Sequence, residues 1–227
     1  MFNITDEGAT PELLTLFENN AKEIQSSLPA LTTLSKEQAQ TLIQRYVAAI
    51  EGNFVPWFCA VTIYARSPQA KYAAMENLDV EIRDDHQGML RAFAIGAKAE
   101  PTHEHYQAVL PHVSKMRKII AEGSGLKSIT VSACLEYFSK EFVPYLAELA
   151  KKCDSTNFQY TDIHGEADAI HANQCLWAIE HEAKWGYMKP EVEIEKTINA
   201  SRDFIKTIFQ KSASDSSVQR AFMQGKK

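Results

Sequence analysis

Little in this sequence interrupts a helix or crosslinks a chain. Nine glycines and eight prolines are spread over 227 residues, too few for the regular turn punctuation of an all-β protein. Four cysteines, Cys59, Cys134, Cys153 and Cys175, lie far apart and form no CxxC pair. That spacing argues against a disulfide framework and fits reduced thiols in a cytoplasmic setting. The formal net charge is only −5, so there is no basic footprint for nucleic acid or an anionic membrane. No uninterrupted apolar run approaches the ~20 residues of a membrane span. Met1 to Glu7 lacks the basic-then-apolar order of a signal peptide. The expectation is a cytoplasmic globular chain, whose 45% hydrophobic content is enough for one sizeable core.

What is present reads as helix. Thr10-Pro11-Glu12 places a hydroxyl cap before a proline at the first helical position, followed by Leu13, Leu14 and Phe17. Ser35 with Gln38 three residues on is a capping box, opening a helix to about Ile50. Gly52 and Pro56 mark a break, and 57–66 is an aromatic, apolar segment in which Val61 to Tyr64 could be strand or helix by composition. Ser67-Pro68 opens a helix that continues irregularly to Ala97. Further helices are expected over 101–120, 128–152 (with Pro144 as a kink), 158–187 and 190–212. The predicted fold is all-α, a single bundle of seven or eight helices over 1–211, with 212–227 as a flexible C-terminal tail.

The most distinctive stretch is His164-Gly-Glu-Ala-Asp168-Ala-Ile-His171. At i, i+4 and i+7 these three side chains fall at roughly 0°, 40° and −20° around a helix, on one narrow stripe. Imidazole suits iron, copper, nickel and zinc, and an added carboxylate leans toward iron or zinc. The alternative is a chance pattern on a surface helix. A di-metal centre in a bundle needs about six protein ligands, so partners should lie on two other helices.

Two segments offer them. In 77–86, Glu81 and His86 are five apart, about 140° round a regular helix, so a π-bulge or an unwound turn is needed to bring them together. Taken alone, Asp79, Glu81, Asp84 and Asp85 read as a solvated acidic face. In 133–144, Glu136 shares an apolar stripe with Ile129, Ala133 and Val143, where a carboxylate is costly to bury without a partner. Glu141 competes with it, and Glu136 is preferred. His103, His105, His112 and His181 fall outside the pattern. Trp57, Phe58, Tyr64, Tyr137 and Trp177 could line a substrate pocket, though aromatics at helical spacing are more often plain core.

Asn77-Leu-x-x-Glu81, His86, Glu136 or Glu141 before Pro144, and His164-x-x-x-Asp168-x-x-His171-Ala172 together resemble the heme-oxygenase-like di-iron oxidases. The nearest branch is that of the chlamydial death-domain-associating protein and its 4-aminobenzoate-forming relatives. Thiaminase II and pyrroloquinoline-quinone synthase belong to the wider fold group. The resemblance implies a metal set of Glu81, His86, Glu136, His164, Asp168 and His171. It also implies two iron ions (Fe/Fe preferred, Mn/Fe as the variant), dioxygen as co-substrate and oxidation of a C–H bond or an amine on a small molecule. A homodimer is compatible with this fold, and neither nucleic acid nor a membrane is expected as a partner.

Two departures from that family stand out. It usually spaces its first glutamate and histidine as glutamate-x6-histidine, whereas here Glu81-x4-His86 leaves Asp79 or Asp85 as substitutes. The 4-aminobenzoate branch consumes an N-terminal tyrosine, yet Ser26-Ser27 stands about where it would align and the first tyrosine is Tyr46, so that product is not expected. The alternatives are a metal-free thiaminase II-like hydrolase using Cys134 or a carboxylate, and a non-enzymatic helical interaction protein. Residues 10–28 contain no histidine, which argues against heme oxygenase activity.

Overall fold

A computed structural model describes residues 9–210, and the side chains of all of these except 165–169. The expected tail, 212–227, lies outside the described residues. Among the described residues there are nine α-helices, one short 3₁₀ turn (Leu31–Thr33) and no strand. They are α1 (Pro11–Ser27), α2 (Lys36–Ile50), α3 (Phe54–Tyr64), α4 (Pro68–Arg83), α5 (His86–Gly96), α6 (His103–Ala121), α7 (Gly125–Lys152), α8 (Gln159–Ala183) and α9 (Pro190–Phe209).

The caps that set the helix starts act as their chemistry requires. Thr10 accepts from the Leu13 amide ahead of Pro11, and Ser35 and Gln38 satisfy one another's backbone amides. Ser67 accepts from Ala70 N ahead of Pro68. The ambiguous stretch Val61 to Tyr64 is helical, as the end of α3. The expected 68–97 helix is two helices, because the chain unwinds at Asp84–Asp85. Asp85 sits in the left-handed region (φ 52°) and caps α5 by accepting from Gly88 N at 3.1 Å. That division, with α3 counted as a full helix, raises seven or eight helices to nine. α7 runs through Pro144 as one element.

Phe17, Phe58, Phe93, Phe138 and Phe209 are wholly buried in one continuous apolar core, each worth about 1.5–3 kcal/mol of transfer free energy. α7 and α8 form the most extensive helix pair. They run antiparallel: Glu136 meets His171 at 3.7 Å, and Gly125 lies against Glu182, where a Cβ would fall 2.6 Å from Oε1. α4 also runs antiparallel to α8, with Glu81 3.8 Å from His164 at one end and Ser67 N donating to Glu182 at 2.8 Å at the other. α4, α7 and α8 thus form a three-helix frame with carboxylates and imidazoles inside it.

One stretch, Lys36–Tyr64, is long and apolar enough by length and composition to cross a membrane, with mean hydropathy 1.3 in its best window. The sequence reading did not anticipate this. It is not a single rod, since a turn with Gly52 at φ 72° divides it into α2 and α3. Within the bundle, 56% of that window is buried, as expected of core helices. The described cysteines are all free, and only Cys59 is partly exposed.

Candidate metal centre

Four of the six residues singled out in the sequence line a single cavity: Glu81, His86, Glu136 and His164. Each comes from a different helix. Glu81 ends the buried face of α4, His86 is the first residue of α5, Glu136 lies mid-way along α7 and His164 is near the start of α8. Glu81, His86 and Glu136 are 7%, 3% and 4% exposed, burial that carboxylates and imidazoles tolerate only with partners.

At the first end of the cavity, Glu81, His86 and His164 each offer one ligand-capable atom, all within 4.8 Å of one another. The unwound turn at Asp84–Asp85 makes this possible. It rotates His86 back over Glu81, so that the imidazole Nδ1 donates to Glu81 Oε1 at 2.7 Å despite a spacing that would part them on a regular helix. The Nε2 of His86 is buried and has no hydrogen-bond partner. The imidazole of His164 donates from Nδ1 to the Tyr160 carbonyl at 2.7 Å. That bond fixes the tautomer and leaves Nε2 facing Glu81 at 3.8 Å. Metal-binding histidines commonly anchor one ring nitrogen in this way, on a carbonyl or a carboxylate. The two imidazole rings lie 4.7 Å apart.

At the second end, Glu136 Oε2 stands 3.7 Å from His171 Nδ1, a separation too wide for a direct hydrogen bond. His171 is 9% exposed. Asp168 belongs to α8, but its side chain lies outside the described residues. Glu141 is partly exposed and is not among the cavity residues, so Glu136 is the α7 acid that the fold brings to the site. Asp79 is exposed and paired with Arg83, and Asp85 is exposed and engaged in capping α5. Neither is positioned to replace Glu81.

Electrostatics separates these groups from ordinary surface acids. Burial alone would push the Glu81 carboxyl up, but hydrogen bonding and positive charge from His164 and His86 outweigh it and hold the group at about 2. Because this lies below the ordinary value of 4.5, Glu81 contributes stability above pH 4.5 that is lost as the pH falls toward 2. The margin of the metal-free wild type over Glu81→Gln in urea unfolding is therefore expected to be full near neutral pH and to narrow between pH 4.5 and about 2. A margin that stays constant across that range would contradict this reading of Glu81.

The cavity volume is about 40 Å³. A buried water needs roughly 10–15 Å³, so there is room for ions or a diatomic gas but not for a typical ligand, whose pockets run to about 300–1,000 Å³. Its walls are mainly apolar, with Ile50, Phe54, Leu90, Leu135, Phe142 and Val143.

The aromatics that the sequence suggested are elsewhere. Trp57 and Phe58 are core, Tyr137 packs on Phe17, Trp177 lies against His181 and Tyr64 is exposed. The tyrosines at the cavity are Tyr46 and Tyr160, buried and joined hydroxyl to hydroxyl at 2.6 Å. Tyr160 stands one turn before His164 and packs on it with ring centroids 4.2 Å apart. Its place on the histidine stripe was the available signal. Of the four histidines set aside, His103 and His105 form the exposed start of α6, where His105 accepts at the Thr102 cap.

No protein-family model matches this chain, and neither does any curated protein. Among solved structures, a TenA homologue from Pseudomonas syringae pv. tomato superposes with a TM-score of 0.60 over 90% of this chain and 97% of its own, at 12% identity. At that identity the likeness is one of fold. The chain therefore shares the all-α architecture of that TenA homologue.

Proposed function

We propose that this chain is an oxygen-dependent non-heme iron oxidase acting on a small molecule. The observation that carries the proposal is the arrangement of Glu81, His86 and His164. Three ligand atoms from three helices lie within 4.8 Å, and the buried Nε2 of His86 has no partner in the protein. Leaving such a nitrogen unpaired costs about 1–3 kcal/mol, and a metal ion is one occupant that would remove the cost.

In this reading Glu81, His86 and His164 hold one iron, and Glu136 and His171 hold the second. Asp168 is assigned to the second by its spacing from His164 and His171. The iron pair, when bound, supplies the electrons that reduce dioxygen. Glu81 and Glu136 supply negative charge that favours the higher oxidation states, and the imidazoles serve as neutral, fixed ligands. The carbonyl of Tyr160 accepts the Nδ1 proton of His164, so that Nε2 is the ring nitrogen turned toward Glu81. The apolar walls exclude bulk water, so charges inside act in a low dielectric. With space for only about 40 Å³, the organic substrate binds at the cavity mouth or on opening of its walls.

Ferrous-loaded protein is expected to consume dioxygen several-fold faster than the same concentration of ferrous iron in buffer, as read with an oxygen electrode. Equal rates would remove the proposal.

The second reading, a metal-free hydrolase of the thiaminase II type, draws support from the shared fold. Its cysteine form needs an activated thiol. Cys134 is wholly buried, and burial pushes its thiol well up, against the lowering effect of a hydrogen bond with Ser201. Cys134→Ala is accordingly expected to leave turnover within about two-fold of wild type. A loss of a hundred-fold or more would favour the hydrolase with Cys134 as nucleophile.

A further inference from the structure

A second hollow lies between the starts of α1 and α9 and the last turns of α8. Its volume is about 270 Å³, close to the lower end of the roughly 300–1,000 Å³ of small-molecule pockets. Its apolar lining comes from all three helices: Leu13 and Leu16 of α1, Ile179 and Ala183 of α8, and Pro190 and Ile194 of α9. Glu180, which also lines it, stands sixteen residues past His164 on α8, or about 24 Å along the helix axis. The hollow shares no lining residue with the candidate metal cavity, so nothing proposed for that centre uses it.

Three carboxylates line the same hollow, those of Glu12, Glu180 and Glu191. Glu12 and Glu191 lie in the first turns of α1 and α9, where the helix dipole favours an acid. That accounts for each of them singly, but it does not balance the charge. Each helix start contributes about +0.5, so about −2 remains. No lysine, arginine or histidine lines the hollow, and none of the three carboxylates is in an ion pair among the described residues. Lys184 and Lys189 flank it in sequence without lining it, and Lys189 lines a separate depression. Glu180 accepts from the Thr10 amide at 3.2 Å and the Thr10 hydroxyl at 2.7 Å, both on Oε1. Those bonds hold the carboxylate in place and leave Oε2 as an acceptor with no partner among the described residues.

We infer that this hollow binds a small organic cation, a protonated amine with an apolar body. The body covers the apolar lining, and the ammonium donates to Glu180 Oε2 in the field of Glu12 and Glu191. Complementarity selects this occupant over the others. A carboxylate or phosphate would meet three like charges, a neutral molecule would leave the negative charge uncompensated, and a bare metal ion would leave the apolar lining in water. The bound amine touches α1, α8 and α9 at once, tying the first helix of the bundle to the last two. The site stands whether or not the chain is an oxidase.

The test uses the whole chain without metal and isothermal titration calorimetry, with benzylammonium as the probe and benzyl alcohol and benzoate as controls of similar shape. Benzylammonium is expected to bind once per chain, at least about ten-fold more tightly than benzyl alcohol, and benzoate is expected not to bind. Glu180→Gln keeps an acceptor for Thr10 and removes the charge, so it should weaken benzylammonium by about ten-fold or more. If that variant does not fold, Glu191→Gln, at an exposed position, serves in its place. The metal cavity, at about 40 Å³, is too small to admit the probe, so the result is separate from that of iron binding. The inference is overturned if benzylammonium does not bind, if benzyl alcohol binds as tightly, or if the charge-removing variant binds it as the wild type does.

Discussion

Alanine at His86 is expected to abolish tight ferrous iron binding at the Glu81–His164 end of the cavity while leaving the helical fold in place. His86 brings to that end a buried nitrogen with no partner, so its removal takes away an unmet polar group along with a candidate ligand. The affinity should fall by more than the ~10–100-fold typical when only an outer hydrogen-bond partner of a ligand is lost. Equilibrium dialysis against ferrous iron reads the affinity, and the far-ultraviolet circular dichroism spectrum checks the fold. Unchanged iron affinity with an intact helical spectrum would mean that His86 is only the partner of Glu81 and not a ligand.

Glu182→Ala is expected to be the most damaging single change to stability. The Glu182 carboxylate is wholly buried and accepts from the backbone amides of Arg66 at 3.0 Å and Ser67 at 2.8 Å and from the Tyr187 hydroxyl at 2.5 Å. It pins the start of α4 to the end of α8 where Gly125 lets α7 approach. Losing it leaves one buried and two part-buried donors unpaired and removes the contact that sets the register of the three helices holding the site. An unpaired buried donor costs about 1–3 kcal/mol, so losing all three contacts is expected to cost about 3–5 kcal/mol, or roughly 6–20 °C in melting temperature for a chain of this size. Differential scanning calorimetry checks this, and a shift under about 2 °C would show that α4, α7 and α8 keep their register without Glu182. Iron affinity should fall in the same variant through misalignment of Glu81 and His164.

The helices were legible because their signals are local. Thr10-Pro11, the Ser35–Gln38 box and Ser67-Pro68 each name a start, and apolar spacing names the buried face. The histidine stripe was legible for the same reason, since positions 164 and 171 share a face on any regular helix. Glu136 could be preferred to Glu141 because burying a carboxylate among apolar neighbours demands a partner. The pairing of Glu81 with His86 was not legible, because it depends on an irregular turn. Asp84-Asp85-His86 reads as one acidic face until Asp85 adopts a left-handed conformation and caps a new helix. The cap itself, Asp85 followed by Gly88, was visible and could have placed the break. The tyrosine pair depends on α2 and α8 meeting across 114 positions of sequence, and only half of it, Tyr160 on the histidine stripe, carried a local signal.

The central claim is that side chains from four helices hold metal together. Its most direct test is the iron content of the whole chain after anaerobic loading with excess ferrous iron and desalting, measured by mass spectrometry beside Glu136→Ala. About two irons per chain are expected for the wild type and about one for Glu136→Ala. A wild-type chain that keeps none, or a variant that keeps as much as the wild type, would contradict it.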